Sequence, residues 1–311
     1  MIASQAVSCF NNTMLYERQK LLLALLESLG GEAGHLDFQK LLFLYCTEWE
    51  NPPSYEFVPY KFGGFSFTSY DDIRKLLRDG YIRDDDRKWS LTECGKNITH
   101  TRPEAVRKTG MYLKRWSGMR GDTLLSSVYK KYPYYASRSE VAGRILSDDP
   151  PALRAIESAR HAIPSAKIHT IGYEGYSLEG YLNRLIKSGV DTLYDVRRNP
   201  MSRKYGFSRG TLSNACESVG IAYISLPELG IASEERYDLK TQEDYDALFD
   251  IYTRTTLSNQ NAALNRIADF VFHGHIVALT CYEHLPQQCH RHCVAEVLER
   301  SYGEEFKPKH L

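Results

Sequence analysis

The chain has no excess of charge of either sign: 39 Lys and Arg balance 39 Asp and Glu over 311 residues. Recruitment to nucleic acid or membrane by a global field is therefore excluded, and any basic surface must be local. No apolar run approaches the roughly 20 residues that cross a bilayer, so no membrane partner is expected. The opening MIASQAVSCFNNTMLYERQK lacks the charged-then-apolar pattern of a secretory leader. Seven cysteines, an odd and scattered set, do not read as a disulfide framework, which points to a reducing, cytoplasmic setting. Nucleotide motifs are missing as well. The glycines of GYEG lack dinucleotide spacing and no Gly-Lys-Ser/Thr phosphate loop occurs, which counts against nicotinamide chemistry and ordinary triphosphatases.

What is present is a globular composition, 42% hydrophobic and 25% charged, in a chain long enough for two cores. Tyrosine is frequent, at 22 residues, and is read mainly as buried or interface aromatics rather than base-stacking surface. The first half shows helices over 17–28 and 35–48 and over DDIRKLLRDG, the last capped by Ser69 or Asp71. Two short strands around an acidic turn follow in YIRDDDRKWSLTECGK. That order is the order of a winged helix. The boundary falls near Pro164, giving a mainly helical, winged-helix-like domain over 1–164 and a second domain over 165–311.

The runs QKLLFLYC, YEFVPYKFGGFS, DDIRKLLRDGYI and LLSSVYKKYPYYASRS resemble the Panacea/SocA-like winged-helix proteins. The resemblance implies a module that binds DNA or a protein partner. The competing reading is that Phe62, Phe65 and Phe67 fill a small core. Between Arg102 and Lys131 lie eight Lys or Arg against two acids, with Tyr112, Trp116 and Tyr129 interleaved. Such a stretch suits phosphates and stacked bases, and it equally suits a solvated amphipathic helix.

After Pro164 the pattern changes to KIHTIGY, VDTLYDVRR, IAYISLPELG and HIVALTCYE as four strands, separated by helices. Right-handed crossovers then give an α/β, Rossmann-like, mostly parallel sheet sandwiched by helices. The carboxyl ends of those strands deliver Tyr173 and Glu174, then Asp195, Arg197 and Arg198, then Glu228, then Cys281 and Glu283. Open α/β sheets bind ligands along that edge. Glu174, Asp195 and Glu283 are the candidate catalytic carboxylates; Asp195 can instead lock the arginine loop through a buried ion pair. The loop Arg197–Arg209 holds five cations and no acid, so Arg197, Arg198, Ser202, Arg203 and Lys204, with Tyr173 and Glu228, are the candidate substrate-binding set.

The terminal cluster CYEHLPQQCHRHC admits three readings. Cys281, Cys289 and Cys293 with His284, His290 or His292 have metal-ligating atoms, without paired CxxC spacing. Cys289 at a helix start is a candidate nucleophile. The preferred reading is structural: Cys281 and Cys293 act as small apolar residues, while His290 and Arg291 hold the edge loops or join Cys281 and Cys289 against a ligand. On that reading no metal or cofactor is required, although Mg²⁺ or Zn²⁺ is compatible.

GYEG after the first strand, DVRRNP after the second, and C-x-E followed by CHR resemble the domain-of-unknown-function 488 family over 167–302. The family implies an α/β domain with these motifs at one edge and no settled reaction. The expectation for function is an enzyme directed at nucleic acid, a hydrolase opening a base–sugar or phosphodiester bond of DNA in genome defence or maintenance. The alternative is a non-catalytic, DNA-binding regulator whose second domain senses a small anion.

Overall fold

The computed structural model describes residues 14–160, 164–236 and 238–311, in two units, Met1–Arg160 and His161–Leu311. The first unit begins with α1 (Glu17–Ser28), β1 (Glu32–Gly34), α2 (His35–Glu48), α3 (Phe67–Arg78), β2 (Ile82–Asp85) and β3 (Lys88–Leu91). Its small sheet is antiparallel in the order β1-β3-β2. Six further α-helices follow among the described residues: α4 (Glu93–His100), α5 (Pro103–Leu113), α6 (Gly121–Lys131), α7 (Pro133–Ala136), α8 (Ala142–Ile145) and α9 (Pro150–Arg160). The strand β1 was not expected, because Glu-Ala-Gly carries no strand signal and exists by pairing with β3. The third helix starts earlier than expected. Ser66, not Ser69 or Asp71, caps it by accepting from the Ser69 amide at 3.2 Å.

The aromatics interleaved in the basic stretch are largely core: Tyr112 and Tyr129 are buried with Leu124 and Val128. Its cations are largely paired within the unit, Arg102 with Glu17, Lys108 with Glu104, Lys130 with Asp149 and Lys131 with Glu48. One cation is deeply buried. Lys40 of α2 is 2% exposed and donates to the Gly64 carbonyl at 2.7 Å. Burial pushes its ammonium down from 10.5 to about 7. It borders a cleft of about 710 Å³ with Tyr60, Phe62, Phe65 and Tyr70.

The second unit alternates β4 (Ile168–Gly172), α10 (Leu178–Lys187), β5 (Thr192–Asp195), α11 (Arg209–Ser218), β6 (Ala222–Ser225), α12 (Gln242–Thr255), α13 (Asn261–Phe272), β7 (Val277–Cys281), α14 (Arg291–Tyr302) and β8 (Pro308–His310). The sheet is parallel throughout, in the order β6-β5-β7-β4-β8. It has five strands where four were expected. Pro308-Lys309-His310 carries no β-branched or alternating signal, and it becomes a strand by adding to the open edge of β4. The third strand is also shorter than expected, because Pro227-Glu228-Leu229 turns into a 3-10 helix.

Helices cover both faces. From α10, Tyr181 donates to Thr280 of β7 at 2.8 Å. On the other face Tyr194, Val277 and Leu279 pack with Ile267, Val271 and Val294 of α13 and α14. From β4 the chain steps past the position later filled by β7 to form β5, then β6, and then reverses. The connections leaving β5 and β7 thus depart to opposite faces, which opens a crevice at their carboxyl ends. Cys46, Cys216, Cys281, Cys289 and Cys293 are free thiols.

Candidate functional site

Two clusters form at that edge, and the sequence-selected residues divide between them. The first is a buried frame around Asp195. Its carboxylate, 0% exposed, takes the Arg197 Nε at 2.8 Å and the Arg197 amide at 3.1 Å on Oδ1. Oδ2 takes the Arg197 Nη2 and the Tyr223 hydroxyl. Arg197 spends Nη1 on the Tyr173 hydroxyl at 3.0 Å and the Phe207 carbonyl at 2.9 Å. The Tyr173 ring stacks on Phe207 at 4.5 Å with an 8° interplanar angle. Asp195, Arg197 and Tyr173 therefore lock the second strand's loop to the first strand's end. They are committed to each other, and the ion-pair reading of Asp195 is the one its geometry fits.

The basic loop is likewise held from within. Ser208 Oγ takes the Ser202 amide at 3.1 Å and donates to the Ser202 carbonyl at 2.9 Å, while Ser202 Oγ takes the Lys204 amide. Lys204 Nζ donates to the Tyr173 carbonyl at 2.9 Å, and burial lowers its pKa. Arg198 and Arg203 remain exposed. Glu228 is half-buried on its 3-10 turn, and Gly230, just after that turn, must be glycine: a Cβ there would lie 2.1 Å from the Arg198 nitrogen. Glu174 is exposed, and its Oε2 accepts from the His284 amide at 2.9 Å.

The second cluster joins the end of β7 to the start of α14. Cys281, Cys289 and His290 are all buried, and one ligating atom from each lies within 4.8 Å of the others. His290 Nε2 meets the Val196 carbonyl at 2.8 Å, and Nδ1 meets Arg236 Nη2 at 2.6 Å. A carbonyl can only accept and a guanidinium can only donate, so the proton sits on Nε2 and the Nδ1 lone pair faces inward. Cys281 Sγ lies 3.7 Å from that Nδ1 and 3.5 Å from Glu283 Oε2. Arg236 Nη1 reaches Glu283 Oε1 at 2.8 Å.

The electrostatics follow from this packing. Burial pushes the Cys281 thiol up, but Cys289, His290 and Arg236 outweigh it and hold it well below its ordinary value. Burial and then the Cys281 sulfur push Cys289 well up. Burial, followed by the Cys281 sulfur, raises Glu283.

The remaining members of the motif play supporting parts. Arg291 is fully buried and donates to the carbonyls of Glu283 (2.5 Å) and His284 (2.9 Å), so it holds the loop rather than a ligand. Cys293 Sγ lies 3.5 Å from His292 Nε2, and Cys293 is not one of the three converging residues. Gly172 lies beneath the loop, where a Cβ would sit 1.8 Å from the Glu283 carbonyl. Close approach, not a turn, requires glycine there.

Arg236 escaped the sequence reading. It follows a 3-10 turn, Ser233–Glu235, and its partners are 47 and 54 residues away, so only the fold reveals it. It lines, with Glu283, Lys240, Tyr245 and Phe249, a cleft of about 400 Å³. No helix among the described residues is long and apolar enough to cross a membrane.

A search of curated proteins finds no match to the chain. Residues 177–298, within the second unit, match the family described as Domain of unknown function DUF488, which supports over that span the resemblance carried by the DVRRNP and CHR motifs; GYEG, at 172–175, lies outside the matched residues.

Proposed function

We propose that the second unit is a hydrolase acting on a nucleotide unit, free or within a nucleic acid. The observation that carries this reading is the placement of Glu283. It is the one of the three candidate carboxylates that is partly buried, paired with a cation and set on the wall of a cleft. There it can take a proton from an attacking water, while Arg236 stabilises negative charge developing opposite it. Tyr245 offers an aromatic face and Lys240 a cation on the same wall, which suits a planar base carrying phosphate. Asp195 does not contribute a proton-transfer step; its part is to fix Arg197 and the crevice floor. The first unit, with its helix–strand–helix–helix–strand–strand order, is read as the module that holds DNA or a protein partner.

The test incubates the full chain with nucleotides and single- and double-stranded DNA, with and without divalent ions, and identifies products by mass spectrometry. Released base or cut strand that disappears in a folded Glu283→Gln variant supports the hydrolase. The engagement of Asp195 and the exposure of Glu174 favour a second reading, an anion-sensing regulator. Ligand binding without product, unchanged in Glu283→Gln, would establish that reading and overturn the first.

A further inference from the structure

Four acceptor groups from two stretches of chain converge at the end of β7 with a single guanidinium between them. We propose that Cys281, Cys289 and the Nδ1 of His290 form a binding site for one thiophilic divalent cation of the zinc class, with Arg236 as the stand-in cation when the metal is absent.

Three features of the geometry carry this. First, the spacing is that of neighbouring ligands on a tetrahedral ion. A sulfur at about 2.3 Å and a nitrogen or oxygen at about 2.0–2.1 Å from one zinc lie roughly 3.5 Å apart. Cys281 Sγ is 3.7 Å from His290 Nδ1 and 3.5 Å from Glu283 Oε2. Second, the histidine is already set as a ligand. A metal-bound ring donates its other N–H to a carbonyl or carboxylate, which fixes tautomer and orientation. His290 Nε2 does this to Val196 while Nδ1 lies 3.7 Å from the Cys281 sulfur. Third, the space between these groups already suits positive charge. Arg236 bridges His290 Nδ1 and Glu283 Oε1 there. It comes from an irregular segment between β6 and α12, with its side chain 26% exposed on the cleft wall. It can therefore turn outward without breaking a helix or strand.

Binding is an exchange. The metal binds both sulfurs as thiolates, so any proton still held by the cysteine pair leaves to solvent, the guanidinium moves into the cleft, and Glu283 Oε2 or a water takes the fourth position. The oxidation state of neither metal nor sulfur changes. The site shares Glu283 and Arg236 with the hydrolase reading, and the two are distinguished because occupancy and turnover are read separately.

The experiment titrates the reduced full chain with Co²⁺, then Zn²⁺, following thiolate-to-cobalt charge transfer and the visible bands of a tetrahedral ion. One Co²⁺ per chain is expected, displaced by one Zn²⁺. Cys281→Ser and Cys289→Ser lose the charge-transfer band, Cys293→Ser keeps it, and Arg236→Gln binds at least tenfold tighter. Circular dichroism checks folding; if either serine variant unfolds, His290→Gln and Arg236→Gln decide, with weakening in the first and tightening in the second. Absence of a cobalt–thiolate band in the folded wild-type chain would overturn the site, as would a band that survives both serine substitutions. One bound ion with no turnover keeps the site and removes the hydrolase reading. Turnover that depends on Glu283 with no bound ion does the reverse.

Discussion

Replacing Lys40 with methionine keeps the side chain's length and removes its amine, which should stabilise the first unit near neutral pH. In the folded chain burial lowers the Lys40 ammonium from 10.5 to about 7, and the ammonium donates to the Gly64 carbonyl. Between those values the unfolded chain carries a proton that the folded chain has released. Wild-type stability therefore rises with pH through this window, at up to about 1.4 kcal/mol per pH unit. Below about 7 both states are charged and the penalty is complete, on the order of 4–5 kcal/mol as an upper bound. The variant has no such term, although it leaves the Gly64 carbonyl without its donor, a loss of about 1–3 kcal/mol. Its advantage over wild type should be a few kcal/mol at pH 7 and about 2 kcal/mol smaller at pH 9. All three tryptophans, Trp49, Trp89 and Trp116, lie in the first unit, so urea unfolding followed by tryptophan fluorescence reads that unit alone. A stability difference that stays constant from pH 7 to 9 would refute the reasoning, because the lysine would then keep its proton on folding.

Two substitutions test the frame of the second unit. Asp195→Asn removes the charge facing Arg197, which is 5% exposed, and should cost about 3–5 kcal/mol, read as an earlier loss of far-ultraviolet dichroism on heating. An unchanged melting curve would mean that Arg197 finds another counter-charge. Gly172→Ala should displace the Glu283 backbone, since the added methyl meets a carbonyl at 1.8 Å, and should abolish metal or ligand binding while the sheet stays folded. Full binding by the alanine variant would show that the loop position is not needed.

The alternation of strand and helix in the second unit was legible because its signals are local. Ser177 caps α10 through the Gly180 amide, and glycines with positive φ end α10 and α11 at Gly189 and Gly220. The division of the edge residues into frame and cluster was not legible in the same way. Cys281 and Glu283 can be placed together from sequence, but the arginine that bridges Glu283 and His290 comes from a polar loop with no periodicity. Arg291 illustrates a second limit. Its position beside His290 suggests a shared ligand, yet the direction of the first helical turn sends it back to the carbonyls of Glu283 and His284. The last strand fails for a third reason: Pro-Lys-His forms it only because β4 presents an unpaired edge.

The loop from Glu283 to Cys289 is fastened largely through backbone atoms. Glu174 holds the His284 amide, Arg291 holds two carbonyls, and Gly172 leaves room beneath Glu283. Its outward side chains, His284, Leu285 and Gln287, are exposed and take little part in that fastening. Those positions can therefore drift during evolution, or be randomised in a library, without loosening the scaffold. On the proposed function, selectivity for a ligand can be rewritten there while Glu283 and the cysteine pair stay in place.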